Sequence, residues 1–263
     1  MKGYLAITRC FILEGLVYRF GFLFTIFGNI LYMGVVYYLW KSIYQNNQTM
    51  HGLTFEQTFL YVALGSAVFI LLKTYVDWYM SYDIREGNIT NHLIKPLDYQ
   101  LMTLFGCMGR MLINMAAITL PTLIMLLLVF RIPVAVGWGL LFFPLSLLMA
   151  FLVSFCFDYF VGLLTFYTES IWGISMVKEV IVTAFSGALV PLQFFPEAIQ
   201  KVLYWLPFQT IYHTPLMMVT KPDQALNQLG WMLLVQVLWV VGLFLLTRLF
   251  YHQAIKVLRV SGG

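Results

Sequence analysis

Charge is what this chain has least of. Only 10% of its 263 residues are Asp, Glu, Lys or Arg, against roughly 25% in an ordinary soluble domain. Hydrophobic residues make up 61%, and no soluble fold of this length could cover so much apolar surface with so few charges. Lipid is therefore the expected solvent, which excludes a disordered chain and a disulfide-stapled secreted domain. The formal net charge of +4 is too small to imply a nucleic-acid partner. Cysteine is scarce as well: Cys10, Cys107 and Cys156 are far apart and form no CxxC pair, so neither a disulfide framework nor a zinc site is indicated. No GK dipeptide occurs, which removes the phosphate-cradling GxxxxGK[ST] loop. HExxH and GxSxG are also missing, and His51, His92, His213 and His252 fall in four different segments. No catalytic residue, metal site or bound cofactor is expected.

What is present is a series of long apolar runs. A bilayer core needs about 20 apolar residues as helix, and six stretches qualify: Tyr18–Trp40, Phe55–Tyr79, Met108–Phe130, Trp138–Tyr167, Met176–Leu192 and Leu229–Phe250. They are continuously apolar, whereas barrel strands alternate. The expectation is an all-α membrane protein of six spans in a single transmembrane domain over residues 1–263. The fifth run is short and contains Ser186 and Gly187. Orientation follows from Lys and Arg. With the N-terminus inside, eleven of the fifteen (Lys2, Arg9, Arg19, Lys73, Arg85, Lys95, Arg110, Lys178, Arg248, Lys256 and Arg259) collect on the cytoplasmic side. Lys41, Arg131, Lys201 and Lys221 remain outside. Six spans then leave both termini in the cytoplasm.

Three segments are not spans. Residues 1–17 are too charged to cross, and a helix along the cytoplasmic interface is expected there; an inward extension of the first span is the alternative. Between the second and third spans lies Ser81 to Gln100, SYDIREGNITNHLIKPLDYQ, longer than a connecting turn requires. Ile84, Ile89, Leu93 and Leu97 give it an apolar stripe at approximate helical spacing, punctuated by Gly87 and Pro96. A helix that docks on a soluble partner and an amphipathic loop on the membrane surface both fit. On the outer side, four prolines (Pro191, Pro196, Pro207 and Pro215) cut residues 193–228 and their lead-in into short helical pieces too apolar for a free loop. Such backbone is tolerated at membrane depth only when buried in protein or lining a cavity, so a fold-back that caps a pathway is expected before the last span and tail at 229–263.

Ionisable residues inside spans are functional candidates. Lys73 and Asp77, four apart, are expected to pair on one helix face near the cytoplasmic end of the second span; a role at the cytoplasmic mouth is the other reading. Asp158 stands alone in the fourth span. Glu169, Lys178 and Glu179 read as a solvated cluster at the inner ends of the fourth and fifth.

Two stretches carry a family resemblance. FSGALVPLQFFPEAIQKVLYWLPF, Phe185 to Phe208, is similar to the "SG-xx-P-xxx-FP…-LPF" pattern of type-2 ATP-binding-cassette (ABC) exporter permeases. DIREGNITNHLIKPLDYQL, Asp83 to Leu101, resembles a stretch of a bacterial subgroup of that family. The resemblance implies that residues 1–17 form a connecting helix on the membrane. It also implies that Ile84, Arg85, Glu86, Gly87, Ile89, Leu93, Lys95 and Pro96 couple to an ATPase. Pro191, Phe194, Phe195, Pro196, Trp205, Pro207 and Phe208 would form an outer gate, with Lys73, Asp77 and Asp158 as charges of the pathway or its mouth. Two copies of a separate ABC ATPase would bind ATP and Mg, and a second permease, identical or paralogous, would complete the pathway in the bacterial plasma membrane. An ATP-independent transporter or channel is the competing function. A membrane enzyme lacks the polar cluster it would need.

Overall fold

The computed structural model describes residues 2–17, 19–168 and 170–257. Glu169 and Arg259, assigned above to the inner side, lie outside the described residues, as does the side chain of Arg19. The chain is helical nearly throughout. A first helix, α1 (Lys2–Val17), leads into α2 (Arg19–Ile43). A two-residue ladder, β1 (Thr49–Met50) on β2 (Leu53–Thr54), follows on the outer side of α2. His51 and Gly52 both have positive φ, the backbone that a tight two-residue hairpin turn requires. Thr54 then caps α3 (Phe55–Leu72) with a reciprocal capping box to Gln57.

Helix α3 is the hub. Phe59, Tyr61, Val62, Ala63, Leu64, Ala67, Val68, Leu71 and Leu72 are all buried, in keeping with a run that is apolar on every side. The helix stops at Lys73, and Tyr75 adopts a left-handed conformation before α4 (Val76–Arg85) resumes. A five-residue helix, α5 (Ile89–Leu93), precedes α6 (Tyr99–Asn114), which passes through a π-helical turn at Met115–Thr119 into α7 (Leu120–Val129). Pro121 sits in the first turn of α7, so the wider turn just before it accommodates the backbone hydrogen bond that proline cannot donate. Then come α8 (Trp138–Leu163), α9 (Trp172–Phe185), α10 (Glu197–Leu203), α11 (His213–Thr220) and α12 (Leu226–Ala254).

Among the described residues, five helical stretches are long and apolar enough to cross a membrane: Phe20–Ile43, Phe55–Arg85, Tyr99–Val129, Trp138–Phe166 and Leu226–Val257. The expected fifth span at Met176–Leu192 is different. Helix α9 has 14 residues, about 21 Å at 1.5 Å per residue, and the chain turns at Ser186 and Gly187 instead of continuing. The second and third stretches are longer than their apolar runs, so helix intrudes on both ends of the expected 81–100 segment.

Helix α1 packs lengthwise and parallel on α6. The Tyr4 hydroxyl accepts from the Asp98 amide at 2.9 Å, and the Thr8 hydroxyl donates to the Phe105 carbonyl at 2.9 Å. Further along, Gly15 lies against Ile113. Helix α12 is held chiefly by α8. Its buried residues are Leu229, Gln236, Thr247, Tyr251 and Ala254. Gln236 accepts from Ser146 Oγ at 2.9 Å and donates to the carbonyls of Thr210 (2.8 Å) and Ser146 (3.2 Å). Thr247 accepts from the Gln100 amide at 2.9 Å. The outward side of α12, with Leu238, Val241, Leu245 and Leu249, suits lipid.

Candidate functional site

Three helices bring charge together at one depth. Asp158 follows Trp138 by twenty residues along α8, about 30 Å of helix, which is the thickness of a bilayer core. There Lys178 of α9 reaches between two carboxylates: its Nζ is 2.8 Å from Asp77 Oδ2 and 2.6 Å from Asp158 Oδ1. The Thr74 hydroxyl donates to the other oxygen of Asp158, and the Trp78 amide donates to Asp77 Oδ1 at 3.0 Å. The charged atoms are nearly enclosed, with side-chain exposures of 13% for Lys178 and 2% for Asp77. Gly162 permits this approach, because a Cβ there would come within 2.9 Å of Met80 Sδ and 3.2 Å of Asp77 Cα. Beside the triad, Lys73 pairs with Glu179 at 2.9 Å in a more open position.

This corrects the expected pairing. Lys73 and Asp77 do not share a helix face, because α3 ends at Lys73 and Tyr75 breaks the period. Each finds its partner on α9 instead. Lys178 is not part of a solvated cluster but the centre of a buried one. Its sequence signal is weak, since nothing in the chain marks a lysine near the start of a short apolar helix as the partner of Asp77 and Asp158. Asp158 is not solitary.

From the triad α4 runs directly to the segment resembling a coupling helix. That segment is not one helix. Ile84 and Arg85 end α4, Gly87 takes a positive φ of 73° that favours glycine, and α5 starts afresh at Ile89. The change of direction re-phases the expected stripe. Ile89 is completely buried, Ile84 and Leu93 pack partly onto the core, and Leu97 is half-buried. Outward instead are Arg85, Glu86, Gly87, Asn91, Lys95 and Pro96, together with Ile94, whose side chain is 82% exposed. Ile94 is the residue that periodicity missed, because the stripe was counted through a helix that Gly87 interrupts.

The outer segment is folded against the bundle. Gly187, with φ 82°, turns the chain after α9. A Cβ there would lie 2.7 Å from Tyr61 Oη, so position and conformation both call for glycine. Tyr61 donates to the Gly187 carbonyl at 2.8 Å and meets His213 Nδ1 at 3.2 Å. Because the tyrosine proton is committed to Gly187, His213 must be the donor in the second contact. Pro191 and Pro207 are buried; Phe194 stacks edgewise on Trp40 with Phe195 half-buried beside it; Pro196 and Trp205 are exposed. Phe208 reaches furthest in, its ring stacked 5.3 Å from Phe157, next in sequence to Asp158. Tyr212 lines a small cavity of about 40 Å³ with Asp158, Lys178 and Glu179. Helix α11, buried along its whole length, then climbs between α3 and α8 until Met218 and Pro222 meet Gly139 at the start of α8. Thus the residues expected to form an outer gate divide: Phe208 lies beside the charged junction, whereas Trp205 faces away.

Two adjoining hollows of about 490 and 410 Å³ share Thr25, Phe69 and Ile70. They make an open groove between α2 and the pair α3 and α9, starting near Glu14, Lys73 and Arg110 and ending at Ala188 and Leu189. Its polar lining includes Asn29, whose side chain accepts from Ser66 at 2.8 Å. Among the described residues no group of His, Cys, Asp and Glu could hold a metal ion.

Long apolar helices, with a buried ionic junction where α4, α8 and the short α9 meet, mark a multi-pass membrane protein. Its family follows from the sequence pattern of the ABC-2 family transporter proteins, which matches residues 30–262; the chain belongs to that family. Membership implies an ABC ATPase as partner in general. No curated protein matches the chain.

Proposed function

We propose that this chain is the permease subunit of an ABC exporter in the bacterial plasma membrane, driven through the segment 84–97 by a separate ATPase. In this reading the chain itself is not catalytic, and ATP and Mg are bound by two copies of the partner. The carrying observation is the single helix α4. Asp77 of the buried triad lies in its first turn, and Arg85, at its far end, opens the 85–96 stretch with its exposed rim of Arg85, Glu86, Asn91, Ile94 and Lys95. A displacement of that stretch is transmitted along a rigid rod of ten residues to α8 and α9 together. The break at Lys73–Tyr75 leaves α4 free to tilt relative to α3. Tyr75, held left-handed, stores about 1–2 kcal/mol that such a tilt can release.

The groove beside α2 is open along one side, so a second permease, identical or paralogous, closes it into a pathway. Helix α9 and the folded-back outer segment complete a sixth crossing, which places both termini in the cytoplasm. Helix α1 runs beside α6 on the inner side, and residues 191–208 gate the outer end. ATP commits energy only if the ATPase binds the two permease states with different affinity. The test is reconstitution in vesicles with and without the ATPase. Cargo movement that requires the ATPase and its hydrolysis supports the reading; equal movement without it would make the chain a channel or secondary transporter.

A further inference from the structure

A further cavity lies away from the groove, on the opposite side of Arg110. About 580 Å³ in volume, it is walled by α1, α4, α6 and the chain entering α6, with Ile7, Phe11, Val76, Met80, Leu97 and Met102 among its apolar residues. That volume is in the range of small-molecule sites, roughly 300–1,000 Å³. Its polar edge is basic. Lys95, His92 and Arg110 face it, against the one carboxylate of Asp83, and that carboxylate is engaged by His92 Nε2 at 3.4 Å. His92 Nδ1 is buried with no hydrogen-bond partner among the described residues. Neither Lys95 nor Arg110 forms an ion pair among the described residues.

Arg110 is held in an unusual way. Its guanidinium lies between two rings, 4.1 Å from the Tyr79 centroid and 4.7 Å from that of Phe11. These cation–π contacts leave its N–H donors without an ion-pair partner among the described residues, the arrangement suited to a phosphate. Its height is also defined. Arg110 precedes Val129, the end of α7, by nineteen residues, about 28 Å of helix, so it sits where an inner-leaflet headgroup would sit.

We propose that this cavity binds an anionic phospholipid of the inner leaflet, with its phosphate on Arg110 at the membrane end of the cavity and its headgroup reaching between α1 and α4 toward Lys95 and His92. Such a lipid bridges the N-terminal helix and the rod α4, and makes their packing depend on leaflet composition.

The test uses the purified full-length chain in neutral detergent. Phosphatidylglycerol and phosphatidylcholine are offered at equal concentration, and adducts are counted by native mass spectrometry. Expected is one phosphatidylglycerol adduct, preferred at least tenfold, that falls at least tenfold in Arg110→Gln and is retained in part by Arg110→Lys. Ala6→Trp, at an exposed position lining the cavity, blocks both lipids without touching the core, so the proposal stays testable if Arg110→Gln misfolds. Arg131→Gln, on the outer side, leaves the adduct unchanged. Equal binding of the two lipids, no adduct at all, or adducts undiminished in both Arg110→Gln and Ala6→Trp would overturn the assignment.

Discussion

Replacing Ile94 and Ile89 separately by aspartate distinguishes the exposed rim of the proposed coupling segment from its root. Ile94 is 82% exposed, so Ile94→Asp should change the stability of the isolated permease by no more than about 0.5 kcal/mol. If the ATPase covers that side chain, the complex loses the transfer of a whole isoleucine, about 1.5–3 kcal/mol. That is roughly a 10- to 150-fold weaker association at 1.4 kcal/mol per decade. Ile89 is fully buried. Truncating such a residue costs about 2–5 kcal/mol, and an aspartate adds an unpaired buried charge, so Ile89→Asp should abolish the folded permease. Two measurements suffice: thermal unfolding in detergent, and affinity for the purified ATPase by equilibrium binding. Wild-type affinity in a normally folded Ile94→Asp would refute the placement of the partner on this rim. A stable Ile89→Asp protein would refute the burial from which the distinction is drawn.

The ionic junction should behave differently from the pair beside it. Lys178→Met strands two enclosed carboxylates and should cost about 3–5 kcal/mol in unfolding free energy, partly restored by adding Asp77→Asn and Asp158→Asn. Lys73→Gln, which opens a pair with side-chain exposures of 30% and 37%, should cost less than about 1 kcal/mol. Gly187→Ala forces a side chain into a left-handed turn and against the Tyr61 hydroxyl. A loss of at least about 1–2 kcal/mol is expected from the backbone alone, with transport falling along with thermal stability. Gln236→Leu removes the bonds to Ser146 and Thr210 and leaves the Ser146 hydroxyl without its acceptor; about 1–3 kcal/mol should be lost, checked by the same unfolding assay.

Apolar run length made the membrane class and all five of the long helices legible, because a bilayer imposes a minimum length that few other environments require. The breaks in residues 191–220 were legible, since Pro191, Pro196, Pro207 and Pro215 rule out one long helix there, and the segment forms the short helices α10 and α11. The details of pairing were not. A stripe counted through Ser81–Gln100 assumes one continuous helix, and a single glycine at position 87 rotated everything after it. Likewise the expected Lys73–Asp77 pair was a sound i, i+4 inference on an unbroken helix, but a left-handed tyrosine between them is invisible to periodicity. Lys178 joins Asp77 and Asp158 from distant parts of the chain, a three-way meeting that no local pattern encodes. The short α9 was foreshadowed by Ser186 and Gly187, whose role became clear only with Tyr61 beside them.

The inward residues of α12, at 229, 236, 247, 251 and 254, all fall on one narrow line along the helix, and two of them are amides or hydroxyls bonded to neighbours. In lipid, greasy contact alone does not favour one rotational setting over another. The polar teeth do. Turning this helix by a single residue would unseat every one of them at once, so α12 works as a keyed shaft: it can tilt with α8, but it cannot spin.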